Sequence, residues 1–570
     1  MSFVLLVDSS WEFFFMRKLF LFLAIFGVLT CAFAQTTANT ASFPPAEQAI
    51  AKAVNPEMMR AHVKYLASDL LEGRGTGQRG GDIAGEYIAT MFATYGLKPM
   101  GDNGTYMQKV PMVGVQTKPE SSTFTVTTAK NEAMSLKFRD QIVAINEGAT
   151  ASVDVDAPIV WVGYGITAPE YNWDDYKGLD VKGKVLLMLV NEPPSNDPKF
   201  FKGAALTYYG RWTYKYEQAA RMGAAAVILV HQTEMASYGW DVVRNSWGGE
   251  HSYLRNTTAP KLKAASWVQY DIAQKLLADS GIDLRHAIEA AGKPGFKGQE
   301  LKATFKAHIE SVVRPFDSSN VIAELPGSDA NLKDQAVIYS AHYDHLGIDP
   351  TMTGDNIYNG AVDNGTGCGI LLELARVFAA SPVKPKRSIL FAAVTGEEQG
   401  LLGSKYMGEN SPVPVKNIVL DLNYDALAPI GMPEEVAIGG AERSTFYPFI
   451  EQTAKAMHLT IIPDAHPMAG HYYRSDHFSF ARVGVPGFSI NAGEKFEGHD
   501  RACGEAQAKD YNENHYHQPS DEYRPEMDFR GDAYLAKFGI ALGWQAATQP
   551  SKIEWLPGDE FEKPRKASEQ

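Results

Sequence analysis

Cysteine is almost missing from this chain: three among 570 residues, at Cys31, Cys368 and Cys503. So few thiols exclude a disulfide framework, and stability must come from a buried core and bound metal. Spacing alone does not say whether Cys368 and Cys503 pair. Basic residues are also short, 53 Lys and Arg against 67 Asp and Glu, which leaves a net charge of −14. A surface of that sign repels phosphate backbones, so nucleic acid is excluded as the expected partner. Long apolar runs are few. Leu19–Cys31 is one, and it is too short for a comfortable membrane span. With Met16-Arg17-Lys18 before it and Ala32-Phe33-Ala34 after it, the run reads as a secretory signal peptide over residues 1–34, with residues 1–15 as an upstream extension. The expectation is an exported protein, periplasmic or extracellular, with no integral membrane span in the mature chain. A lipid anchor at Cys31 is the alternative.

What is there suits a folded chain of two domains, 45% apolar and 21% charged. Residues 47–98 carry helical periodicity, broken by Glu72-Gly-Arg-Gly-Thr-Gly77, read as a plain loop. Residues 115–305 are rich in β-type runs such as Val185–Val190 and Ala225–His231, and they lack any charged or histidine cluster with ligand spacing. They read as a non-catalytic insert. From about 318, strands (Ala336–Ser340, Ile389–Val394, Ile418–Leu422, Val485–Ile490) alternate with helices (Gly367–Ala380, Asp532–Trp544). That alternation predicts an α/β fold, a mostly parallel mixed sheet flanked by helices. One domain is expected over 35–114 with 306–550. A charged tail, 551–570, has little to bury and is expected to be loosely held.

Ligand-type side chains sit where these strands end, the place at which such sheets bind ligands. His342 follows one strand, with Asp344 two residues on and His345 as a rival. A histidine ligand usually needs a carboxylate or carbonyl on its other nitrogen, a role open to Asp344. Asp363 precedes a helix in a glycine-rich turn; it suits a helix cap, or a carboxylate bridging two cations. Glu397 and Glu398 end a buried strand, where unpaired acids are costly. Asp425 has Asp421 as its rival, and His517 has His515. Tyr516 could donate to a developing oxyanion. Each signal alone suits a structural role. Imidazoles and carboxylates in this order together suit a metal site with an open position.

At this point the chain resembles the secreted di-zinc exopeptidases of the bacterial leucyl aminopeptidase and glutamate carboxypeptidase II group. The resemblance implies two Zn(2+) ions per chain, bound by His342, Asp363 as bridge, Glu398, Asp425 and His517. It implies Glu397 as general base, Asp344 beside the ligand His342, and Tyr516 steadying the tetrahedral intermediate. Arg474-Ser-Asp-His-Phe478 is similar to a stretch bordering the group's substrate pocket. Gly163–Asn172 and Leu179–Val185 resemble the protease-associated domain inserted in many members. Two departures are Val-Asp-Asn at the bridge and Asn-Tyr-Asp-Ala around Asp425. The activity implied is a secreted aminopeptidase acting on peptide substrates through water activated by two metals. A carboxypeptidase or dipeptidase on the same site, or an inactive receptor-like binding module, are the alternatives. Oligomeric state stays open.

Overall fold

The computed structural model describes residues 44–128, 132–236, 238–255, 257–464 and 467–570. The signal-peptide reading lies outside them. Among the described residues no helix is long and apolar enough to cross a membrane.

Three helices open the described chain: α1 (Pro45–Lys52), α2 (Pro56–Leu66) and α3 (Arg79–Thr94). Pro56 starts α2, and the Asn55 side chain accepts from the backbone N–H of Glu57, a standard cap. The main strands follow as β1 (Met107–Thr117), β2 (Ile142–Ile145), β3 (Ser152–Trp161), β4 (Val185–Leu189), β5 (Ala226–His231) and β6 (Ala264–Gln269). Between them lie helices α4 (Trp212–Arg221) and α5 (Trp240–Gly248). Then come β7 (Gln299–Leu325), β8 (Ala336–His342), helix α6 (Gly367–Ala380), β9 (Ser388–Val394), β10 (Ile418–Asn423), β11 (Gly487–Ser489) and helix α7 (Arg530–Thr548).

The sheet is large and mixed. Its principal order is β11-β10-β8-β9-β7-β3-β4-β5-β6-β2. Strands β8, β9, β10 and β11 pair in parallel, and so do β3 to β6. Helices flank the first group on both faces, which is why every residue of β8, β9 and β10 is buried. Val337, Tyr339 and Ala341 pack into a core with α2, α3, α6 and α7, whereas Ala336 and Ile338 face Met407 and Phe480.

The 27-residue strand β7 joins the two halves. Its end, Val321–Leu325, pairs with β9; its middle pairs with β1; its start pairs with β3. The boundaries read at 115 and 305 therefore fall inside continuous strands. The intervening segment has cores of its own, on either side of β4 and β5.

The tail reading is corrected by the structure. Residues Glu562–Ser568 form α8, and Ile553, Trp555, Phe561 and Arg565 are buried. Charged composition hid two large aromatics that close over Tyr473 and Phe478. Trp555 also donates from Nε1 to the Gly484 carbonyl at 3.0 Å. Cys368 and Cys503 are free thiols, Cys368 buried with Sγ 3.1 Å from the His342 carbonyl.

Candidate metal centre

The carboxyl ends of β8, β9 and β10 deliver the site. His342 is the last residue of β8, Glu397 and Glu398 follow β9, and Asp425 follows β10. Asp363 comes from the turn before α6, and His517 from the loop after the helix Arg501–Asn514. A metal needs several buried donors converging without a basic side chain between them. His342 Nε2 lies 3.1 Å from Asp425 Oδ1 and 3.3 Å from Asp363 Oδ1. His517 Nε2 lies 3.3 Å from Asp363 Oδ2 and 3.0 Å from Glu398 Oε2. The two oxygens of Asp363 thus face two separate imidazoles. Ligand atoms of His342, Asp363 and Asp425 all lie within 4.8 Å of one another, and so do those of His345, Asp363 and Glu398.

Two of the three rivals fall outside the cluster. His515 bonds Ser520 and Asp510 outside the cluster, and Asp421 accepts from Ser340 at 2.8 Å inside β10. His345 does reach the centre, with Nδ1 2.6 Å from Glu398 Oε1 and a buried Nε2 that has no partner. His517 touches both Asp363 and Glu398, so two imidazoles border that pair of carboxylates.

The donors are held in place from behind. Asp344 accepts from Thr76 Oγ1 at 2.9 Å and from the Glu397 N–H at 3.2 Å, and its carbonyl lies 3.2 Å from His342 Nδ1. Its carboxylate is farther from that nitrogen, at 3.8 Å. Asp521 accepts the backbone N–H groups of Val362 and Asp363, each at 3.0 Å. Asn364 ties the Asp363 turn to the Asp425 loop by donating to the Tyr424 carbonyl and accepting from Ala426. Ser475 donates to Asp425 Oδ2 at 2.5 Å.

Sequence reasoning passed over Arg74, taken as part of a plain loop. It is fully buried and donates to the carbonyls of Leu66, Tyr343, Asn359 and Gly360 at 2.6–2.9 Å. It thereby pins the segments that carry His342, His345 and Asp363. Its signals in the sequence are an arginine between two glycines and the likeness of Ser68–Gly75 to the N-terminal helical entry of the exopeptidase group.

Protons are strongly displaced here. Burial opposes charge on Asp363, but hydrogen bonds with His342 and His517 outweigh it and hold the carboxyl well below the usual range. Burial likewise opposes charge on His517, but Glu398 and Asp363 raise it to about 10. Burial pushes Glu397 well above the ordinary carboxylate value; His342 pulls it down, and Asp425 and Glu398 add to the rise. Such a set of acids and imidazoles balances its charge with protons that a divalent cation would replace. The residues present therefore fit a zinc site.

A cleft opens beside Glu397, Glu398, Tyr516 and His517. Its far wall comes from the segment read as non-catalytic: Arg211, Trp212, Tyr238, Ser246 and Trp247. The ring of Tyr516 packs 4.0 Å from that of His517, and burial pushes its phenol up, so it stays a donor.

The model for peptidase family M28 matches residues 320–530, the stretch that supplies all of these donors. That stretch is an M28 peptidase domain. A probable zinc metalloprotease of Pyricularia oryzae is 34% identical over 148 residues, covering 25% of this chain and 28% of that one. Carboxypeptidase Q of Xenopus laevis is 24% identical over 318 residues, 55% of each chain. The chain spans only about a quarter of the length of the curated relatives first matched, 24–28%. The M28 domain and its surroundings also share a fold with an aminopeptidase from Aneurinibacillus sp. strain AM-1. The TM-score is 0.52 at 21% identity, over 90% of this chain and 98% of that one.

Proposed function

We propose that this protein is an exported zinc aminopeptidase that removes N-terminal residues from peptides, with the segment 115–305 acting as a protease-associated domain over its site. The observation that carries the reading is Asp363, whose two oxygens face His342 and His517 separately. His342 with Asp425 would hold one zinc ion, His517 with Glu398 the other, and Asp363 would bridge them. Two such ions supply Lewis acidity, lowering the pKa of a water and polarising a carbonyl. Glu397, raised by burial, lines the cleft and takes the proton from the attacking water, then returns it to the leaving amine. Tyr516 donates its phenol proton in a hydrogen bond to the oxyanion. Asp344 holds His342 on one side and the Glu397 backbone on the other.

A second reading, a dipeptidase or carboxypeptidase, is favoured by one feature of the cleft. Arg211 and Arg474 both line it, and Arg474 donates from Nη2 to the Ala236 carbonyl. The Nε atoms of both are buried without a partner. Burial, with Arg474 adding, lowers Arg211 to about 10. Two such guanidiniums suit a substrate carboxylate.

The test is a panel of peptides digested by zinc-loaded protein, with released residues read by mass. Free N-terminal residues from peptides of all lengths support the aminopeptidase. Cleavage confined to peptides with a free C-terminal carboxylate, lost on amidation, moves the assignment to the second reading. No cleavage by protein carrying its full zinc overturns both.

A further inference from the structure

The intervening segment does more than wall the cleft. Metal-bound histidines need a partner on the ring nitrogen away from the metal, which fixes tautomer and ring orientation. His342 finds that partner two residues away, at the Asp344 carbonyl. His517 does not find one in its own domain: Ser246 Oγ, on helix α5 of the segment, lies 3.2 Å from His517 Nδ1. The neighbouring Asn245 donates from Nδ2 to the His517 carbonyl at 3.5 Å.

His517 depends on such support more than most residues would. Its φ is 56°, in the left-handed region that disfavours a side chain. Helix α5 is held firmly enough to provide it. Trp240 Nε1 donates to the Arg139 carbonyl at 2.9 Å at one end of the helix, and Arg139 Nη2 donates to the Gly248 carbonyl at 2.8 Å at the other. The same guanidinium reaches Thr351 Oγ1 at 2.8 Å and Asp349 at 3.3 Å, in the loop beyond His345. Trp247 packs among Trp212, Tyr216 and Trp267.

We propose that Ser246 is a positioning residue: the intervening domain completes the second metal site by accepting the Nδ1 proton of His517. With Nε2 turned to Asp363 and Glu398, Nδ1 carries the proton and donates to the serine hydroxyl. One ion of the pair therefore depends on a residue 271 positions away in sequence, outside the matched domain, while the other does not. This rests on the two-zinc reading above.

The experiment measures zinc per chain at equilibrium against buffers of graded free zinc, for wild type, Ser246→Ala and Ser246→Thr. In Ser246→Ala one ion should leave at a free-zinc level about 10- to 100-fold higher than in wild type, the other unchanged. Ser246→Thr, which keeps a hydroxyl, should restore wild-type retention. The cobalt-loaded alanine variant should show a visible spectrum altered in one site's contribution. Circular dichroism checks the fold. If the alanine variant does not fold, Ser246→Cys, similar in size and a poorer acceptor, carries the same expectation. Parallel release of both ions from variant and wild type overturns the proposal. A wild type that never holds two ions overturns the two-zinc reading instead.

Discussion

Glu397 and Glu398 are adjacent in sequence and opposite in surroundings. Glu398 lies against His345 and His517; burial opposes its charge, but His517 and His345 lower its carboxyl to about 2. Glu397 has no imidazole bonded to it, and burial drives it up. Environments that push two carboxyls apart mark an acid-base assignment. Glu397→Gln should therefore retain its zinc while turnover falls by about 10²–10⁴-fold or more. Zinc content and kcat measured on one preparation check this; wild-type-like turnover sinks Glu397 as base, and lost zinc would make it a ligand. Arg74 shows what residue-level reading missed. Its four carbonyl partners lie on segments far apart in the chain, and nothing local marks them.

At the scale of elements, local pattern was a good guide wherever one periodicity dominates. Helix α6 has the predicted bounds, Gly367–Ala380, because Ile370, Leu371, Leu374, Val377 and Phe378 recur at helical spacing and are all buried. Strands β9 and β10 lie within a residue of expectation, their apolar runs being buried on both faces. Helix α1 carries a burden that periodicity does not reveal. Glu47 is 3% exposed, and burial raises its carboxyl from 4.5 to about 8. A carboxyl raised on folding leaves stability intact below the unfolded value and erodes it as pH climbs toward the folded one. Glu47→Gln should match the wild-type melting temperature at about pH 4 and exceed it by a few degrees above about pH 8. Calorimetry across that range tests it; equal melting temperatures at both ends would contradict the buried position.

For the molecule as a whole, the C-terminal segment belongs to the core. Arg443 makes a two-pronged pair with Asp559, at 2.7 and 2.9 Å, and lies over the rings of Tyr472 and Phe561 at 4.8 and 4.6 Å. Tyr472 and Tyr473 immediately precede Arg474 and Ser475, so the tail buttresses the cleft wall and Asp425 together. Trp555→Ala should cost about 3–5 kcal/mol in denaturant unfolding. A loss below about 1 kcal/mol would return the tail to the periphery.

The sequence by itself determined which imidazoles and carboxylates are on offer, their order along the chain and the strand ends that carry them, since apolar runs and the residues after them are local properties. Only the tertiary structure decided which Asp363 oxygen faces which imidazole, that His345 joins the cluster while His515 does not, and that Ser246 meets His517. Those are distances between segments up to hundreds of residues apart, fixed by how the long strand β7 sets one half of the sheet beside the other, and no short-range pattern encodes them.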